Sequence, residues 1–99
     1  MSTVFVSHFY SCDPDRSRDA VSRIARRIAA EGLLPLAPQL CLPSFVNEAT
    51  ERNLALKQCL GLVALSDEIR VYGEPSEGML LEIAEAGRLG IPVVKGELS

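Results

Sequence analysis

Ser76, Gly78 and Glu82 are the residues of this 99-residue chain whose types and spacing best suit chemistry on a small molecule. They follow a strand-like run at 68–72 and open a helix predicted over 78–89. A serine hydroxyl and unpaired backbone N–H groups at a helix start bind anions, because the helix dipole favours negative charge there. Glu82 lies about one and a half turns further along the helix. The spacing predicts a phosphate anchor with a carboxylate placed to act on what the phosphate carries.

The same segment has a plainer interpretation. Ser76 is a favoured N-cap in any helix, and Glu77 in the first turn would repel a phosphate unless it points away. Glu82 falls at the border of the predicted buried face, where a carboxylate can line a crevice. That face is defined by helical periodicity and comprises Met79, Leu80, Ile83, Ala86 and Gly87.

Composition excludes several functions. The net charge of −3 and the pI of about 5.1 argue against a nucleic-acid polymer as partner. Three cysteines without paired spacing predict reduced thiols in a cytoplasmic protein. The single histidine has no second ligand at a useful offset, so we expect no metal and no other cofactor. No apolar stretch approaches the ~20 residues that span a bilayer, and no signal peptide is evident, so we expect no membrane partner.

Alternating strands and helices must position the candidate residues. The segment 37–47 reads as an ordered, partly apolar loop. We expect the second helix to be capped by Asn47 or Thr50. Gly61 within it is unfavourable for a helix, and close packing against a neighbouring element would explain it. The predicted strands cover 3–7, 33–36, 68–72 and 90–94, and the predicted helices lie around 21–29, 50–65 and 78–89.

This alternation predicts a parallel sheet with helices on both faces. Ligands of such sheets bind outside the carboxyl ends of the strands, at the switch point of the strand order. That edge would gather 7–10, 37–45 and 73–78, and Arg16 lies near it. We therefore take His8, Tyr10 and Arg16 as candidate ligand-binding residues, although a lone histidine is more often structural. Arg70 within a central strand needs a partner or access to water.

The same residues resemble a known family. The segments that carry the resemblance are 4–10, 32–39, 67–73 and 76–79, with Glu82 and Ile83. They look like the small DUF4406 proteins, which are similar in turn to nucleoside 2-deoxyribosyltransferases and deoxynucleoside 5′-monophosphate N-glycosidases. The resemblance to the first group spans nearly the whole chain. The resemblance to the enzymes rests mainly on the Ser-x-Gly-x-x-x-Glu spacing that ends at Glu82.

The resemblance implies an α/β, three-layer flavodoxin-like (Rossmann-like) sandwich with a short parallel sheet of four strands. It implies one deoxyribosyltransferase-like domain over 1–99, in a homo-oligomer (dimer or larger) whose neighbouring subunit partly closes the site. Ser76 and Gly78, with Met79 beside them, would hold a 5′-phosphate or 5′-hydroxyl. Glu82 would be the nucleophile at the anomeric carbon of the sugar.

Two departures from the enzymes leave the function open. The chain has His8-Phe9 where the enzymes have a Gly-Ser turn, and their second acid has no clear match. Asp13, Asp15 and Glu51 are possible stand-ins. We expect a protein that binds a nucleoside or nucleoside 5′-monophosphate and hydrolyses or transfers at its N-glycosidic bond. The alternative is a non-catalytic nucleotide-binding or oligomeric regulatory module.

Overall fold

Four parallel strands and their connecting helices form the described part of the chain. The computed structural model describes residues 1–9, 14–47 and 49–97. The expected alternation of strands and helices is confirmed. The elements in chain order are β1 Thr3–His8, α1 Pro14–Ala30, β2 Leu34–Leu36, α2 Pro38–Cys41, a 3-10 turn Leu42–Ser44, α3 Arg52–Ala64, β3 Glu68–Tyr72, α4 Glu77–Leu89 and β4 Val93–Lys95.

The strand order places the switch point at the middle of the sheet. The order is β2-β1-β3-β4, and every neighbouring pair is parallel. The chain leaves β1 for β2 on one side and then crosses back to β3 on the other side. The carboxyl ends of β1 and β3 therefore flank the crevice in which ligands of such sheets bind. At this edge Ser7 is level with Val71, and His8 is level with Tyr72.

The core has two layers because successive strand residues point to opposite faces of the sheet. On one face Val4 and Val6 pack with the apolar side of α1. On the other face Phe5 packs with residues of β3, α3 and α4. Ser7 has the same parity as Phe5, so the end of β1 presents a hydroxyl to the α3/α4 face.

Several element ends differ from the sequence prediction. Strand β1 includes His8, and α1 begins at Pro14, since proline suits the first helical position, where its missing N–H is not needed. Strand β4 begins at Val93 and not at residue 90. Gly90 ends α4 in the left-handed conformation (φ 73°), and the N–H of Ile91 donates back to the carbonyl of Ala86.

The segment predicted as a loop after β2 contains two short helical turns. Pro38 and Pro43 each occupy the beginning of one turn. The predicted cap of the following helix was wrong: α3 begins after Glu51, which makes no side-chain cap. Asn47 instead closes a turn before the helix, because its side chain accepts from the backbone N–H groups of Ala49 and Thr50.

Arg70 has the partners that a charged residue in a central strand needs. Its guanidinium donates to Glu68 at 2.7 Å and to both carboxylate oxygens of Glu31 at 3.0 and 3.2 Å. These hydrogen bonds raise the pKa of Arg70 and lower the pKa of Glu31. The ion pair with Glu31 connects β3 to the turn that follows α1. Among the helices described, none is long and apolar enough to cross a bilayer.

Candidate active site

The start of α4 is capped by Ser76 and remains open to solvent. The Ser76 hydroxyl oxygen accepts from the N–H of Met79 at 3.3 Å, and the N–H of Ser76 donates to the Met79 sulfur at 3.4 Å. Capping uses an oxygen lone pair and leaves the hydroxyl hydrogen available as a donor. The N–H groups of Glu77 and Gly78 lie in the first turn and have no intrahelical acceptor. Ser76 can therefore cap the helix and donate to a ligand at once.

Glu82 lies further along α4 and turns towards the sheet. The Ser7 hydroxyl donates to Glu82 Oε1 over 2.7 Å. Ser7 is only 1% exposed and sits in the last part of β1. This hydrogen bond joins α4 to β1 next to the carboxyl edge of the sheet.

Burial gives Glu82 an unusual proton affinity. Loss of water raises the pKa of Glu82 from its ordinary value of 4.5 to about 7, and the Ser7 hydrogen bond acts in the opposite direction. A carboxyl group that titrates near neutral pH, close to an open helix start, has the features of a functional acid or nucleophile.

The other predicted ligand-binding residues have different positions. Met79 is 2% exposed, so its side chain belongs to the core. His8 follows Ser7 in the strand and therefore belongs to the α1 face. Its Nδ1 is 2.9 Å from the carbonyl of Phe9, and the two rings stack with centroids 4.9 Å apart. Arg16 is exposed in the first turn of α1. Tyr10 lies outside the described residues.

The two possible second acids that the structure describes, Asp15 and Glu51, have partners other than Ser7 and Glu82. Asp15 forms an ion pair with Arg18 on α1. Glu51 accepts from the N–H of Asn47 at 2.9 Å. Asp13 lies outside the described residues. Of the candidate acids that the structure describes, Glu82 is therefore the one that hydrogen-bonds to the end of β1.

Sequence reasoning placed Ser7 at the ligand edge but did not select it as a site residue. The available signal was a hydroxyl in the run Val4-Phe5-Val6-Ser7, two positions after Phe5 and therefore on the same inward face of the strand.

Gln39 was also missed. Its Nε2 donates to the carbonyls of His8 at 2.8 Å and Phe9 at 3.1 Å, while its buried Oε1 has no partner. Gln39 thereby fixes the backbone that follows β1.

Glu82 lies outside the two best-defined grooves of the described residues. One groove follows 49–54, and the other lies on the α1 face of β3 and β4. The same part of the chain contains no group of three or more His, Cys, Asp or Glu residues that could hold a metal ion.

Comparisons with known proteins identify the fold and a family. A family model described as a domain of unknown function (DUF7768) matches residues 2–95. The expected assignment to DUF4406 is therefore wrong, because the matching model is a different one. None of the curated proteins matches the chain.

Two solved structures show the fold class. A 2-desoxiribosyltransferase from Leishmania mexicana superposes with a TM-score of 0.74 at 17% identity, over 96% of this chain and 63% of that one. A 2-deoxyribosyltransferase from the psychrotolerant bacterium Bacillus psychrosaccharolyticus gives 0.77 at 15% identity, over 95% and 71%. The predicted α/β, flavodoxin-like fold with a four-stranded parallel sheet is confirmed. The chain spans less than two thirds of the length of the Leishmania mexicana enzyme.

Proposed function

The chain belongs to the family described as domain of unknown function DUF7768, and on this premise we propose that it binds a nucleoside or nucleoside 5′-monophosphate and cleaves its N-glycosidic bond. Cleavage ends in hydrolysis or in transfer of the sugar to another base. The observation that carries the proposal is the mostly buried carboxyl group of Glu82, held by Ser7 beyond an open helix start. The fold shared with two 2-deoxyribosyltransferases supports it.

In the proposed reaction Glu82 is the nucleophile. One carboxylate oxygen attacks C1′ of the sugar, and the bond between C1′ and the base nitrogen breaks. The base leaves with the bonding electrons and takes up a proton. Water or a second base then attacks C1′, releases the carboxylate of Glu82 and restores the original configuration.

The helix start holds the other end of the sugar. The Ser76 hydroxyl and the Gly78 N–H donate to a 5′-hydroxyl or 5′-phosphate oxygen, and the helix dipole adds to the attraction of an anion. Glu77 is exposed in the same turn. Its negative charge weakens binding of a dianionic phosphate relative to a neutral hydroxyl.

Replacement of Glu82 by glutamine tests the proposed role. Glutamine keeps the shape and loses the nucleophile, so we expect release of free base to fall at least ~10³-fold while ligand binding persists. The measurement is chromatography of free base over a broad panel of nucleosides and 5′-monophosphates. Glu85→Gln is the matched control, because Glu85 lies on the same helix and is paired with Arg88. Absence of cleavage by the wild-type protein across the panel, or full activity of Glu82→Gln, contradicts the enzymatic role.

A non-catalytic module is the second candidate, favoured by the lack of a second acid beside Glu82 in the described residues. Ligand would raise the free energy of unfolding of such a module by RT ln(1 + [L]/Kd), which raises its melting temperature, and no product would form over hours. The homo-oligomer expected from the sequence stays a prediction. Exposed Leu54 on α3 and exposed Leu65 directly after it support this prediction, since a partner subunit could cover them.

A further inference from the structure

We propose that Ser7 is the positioning residue of Glu82: its hydroxyl holds Oε1 and leaves Oε2 free to attack the sugar. This inference rests on the proposed nucleophilic role of Glu82 and adds a residue from another element to the site. Only folding brings the two residues together, because Ser7 belongs to β1 and Glu82, 75 positions further along the chain, belongs to α4.

Both ends of the hydrogen bond are anchored in rigid parts of the fold. Strand β1 is paired on both sides, with β2 and with β3, and Ser7 is level with Val71 of β3. Helix α4 is fixed by the Ser76 cap at its start and by buried Met79 and Ala86 on its inner face. The donor and the acceptor therefore meet at 2.7 Å without a flexible segment between either residue and the core.

A hydroxyl has a single hydrogen, and here that hydrogen is directed to Oε1. Ser7 is 1% exposed. If its hydroxyl is removed, water therefore has little access to replace it as the hydrogen-bond donor to Glu82. A carboxylate held at one oxygen has a fixed orientation, and orientation of the attacking atom is a large part of catalysis in nucleophilic displacement.

The surroundings give Ser7 a second effect, on the charge of Glu82. The buried neighbours on this face are apolar, namely Phe5, Val63, Ile69, Val71, Met79 and Ala86. Besides Glu82, the ionisable side chains of the adjoining helices are the exposed Arg52 and Lys57 and the half-buried Cys59 on α3, and the exposed Glu77 and the Glu85–Arg88 pair on α4. Ser7 donates to the charged form of Glu82 and opposes burial, which favours the protonated form.

Ser7→Ala tests the proposal against a matched serine. Ser66 is also buried, at 7% exposure, and its hydroxyl donates to the carbonyl of Leu62 at 2.8 Å, at the amino end of β3 and away from the site. Ser66→Ala therefore removes a comparable buried hydrogen bond. Two quantities are measured for each variant: the titration of the Glu82 side-chain carbon by ¹³C NMR, assigned with Glu82→Gln, and the pH profile of base release.

We expect Ser7→Ala to move the Glu82 titration to higher pH and to reduce base release below pH 7 by roughly tenfold or more, as for loss of a hydrogen bond to a charged group. Ser66→Ala should lower the melting temperature and leave both the titration and the profile at their wild-type positions. Ser7→Cys keeps a weak donor of similar size, so it should shift the Glu82 titration in the same direction by a smaller amount. If Ser7→Ala fails to fold, Ser7→Cys provides the test.

Two results overturn the inference. One is a Glu82 titration that stays at its wild-type position in both Ser7 variants, and the other is a shift of equal size in Ser66→Ala. The titration needs no substrate. If the wild-type protein releases no base, the proposed reaction fails while the titration still decides whether Ser7 controls Glu82.

Discussion

At the scale of single residues, the site depends on one carboxyl group that folding removes from water. Burial raises the pKa of Glu82 to about 7 against an ordinary value of 4.5, so the native protein holds this proton more tightly than the unfolded chain does. Stability contributed by the protonated group is fully present below pH 4.5 and is lost as the pH rises through about 7. The nucleophilic role that we propose for Glu82 needs the opposite, ionised form, so the proposed activity should rise over the pH range in which stability falls.

This conflict predicts that Glu82→Gln stabilises the protein at alkaline pH. Glutamine stays neutral, so at pH 8 we expect the variant to exceed the wild-type free energy of unfolding by ~1–3 kcal/mol. At pH 5 the difference should shrink, because the wild-type group is then protonated as well. Urea denaturation at both pH values measures the effect, with Glu85→Gln as the control. A constant difference between Glu82→Gln and wild type at the two pH values contradicts the shifted pKa.

The residues within α4 could be predicted as candidates, whereas their partner could not. Ser76, Gly78 and Glu82 lie on one helix, so their relative placement follows from helical geometry. Contact between Ser7 and Glu82 depends on the register of β1 against β3 and on how α4 is rotated over the sheet. Neither quantity is encoded in a local pattern.

At the scale of elements, close packing distinguishes two glycines. A Cβ at Gly96 would overlap the buried ring of Tyr72, whereas a Cβ at Gly61 would meet no atom within 4 Å. The sequence suggested close packing at Gly61, and the described chain shows none there. Gly96, which follows β4, is the glycine that the tertiary structure requires to be small.

Alanine at the two positions should therefore have opposite effects. We expect Gly96→Ala to lower the free energy of unfolding by ~1–3 kcal/mol through overpacking. Gly61→Ala should raise it by ~0.5–1 kcal/mol, since alanine is the better helix former at an exposed helical position. Thermal denaturation of both variants measures the difference. A destabilising Gly61→Ala would show that something outside the described chain packs closely against α3.

Periodicity predicted some elements better than others for a physical reason. Helix α1 has one apolar face against the sheet, so its spacing is regular. In α4 the predicted buried face is correct for Met79 and Ala86, whereas Leu80 and Gly87 are exposed. The apolar residues of α3 lie on most sides of the helix, so they show no helical periodicity. Leu54 on α3 and Leu65 directly after it are exposed. The turns after β2 were missed because Pro38 and Pro43 suggest a loop, although proline is equally suited to a helical first turn.

At the scale of the whole molecule, the order of the strands creates the site. The fold class could be predicted from the alternation of strands and helices, since parallel neighbours joined by right-handed crossovers follow from it. The uneven covering of the sheet by apolar residues could not be predicted from the sequence. On the α1 face, Arg70 carries ion pairs to Glu31 and Glu68, and Val94 of β4 is exposed. Strands β1 and β3 contribute buried residues to both faces of the sheet, and their carboxyl ends flank the switch point.

Trapping of a covalent intermediate tests the central claim most directly. Wild-type protein is mixed rapidly with a deoxynucleoside that it cleaves, quenched in acid and analysed by mass spectrometry before and after proteolysis. We predict a mass gain of one deoxyribosyl group on the peptide that contains Glu82, and no gain in Glu82→Gln. Base release with the sugar attached to a different residue, or undiminished release by Glu82→Gln, would contradict Glu82 as the nucleophile.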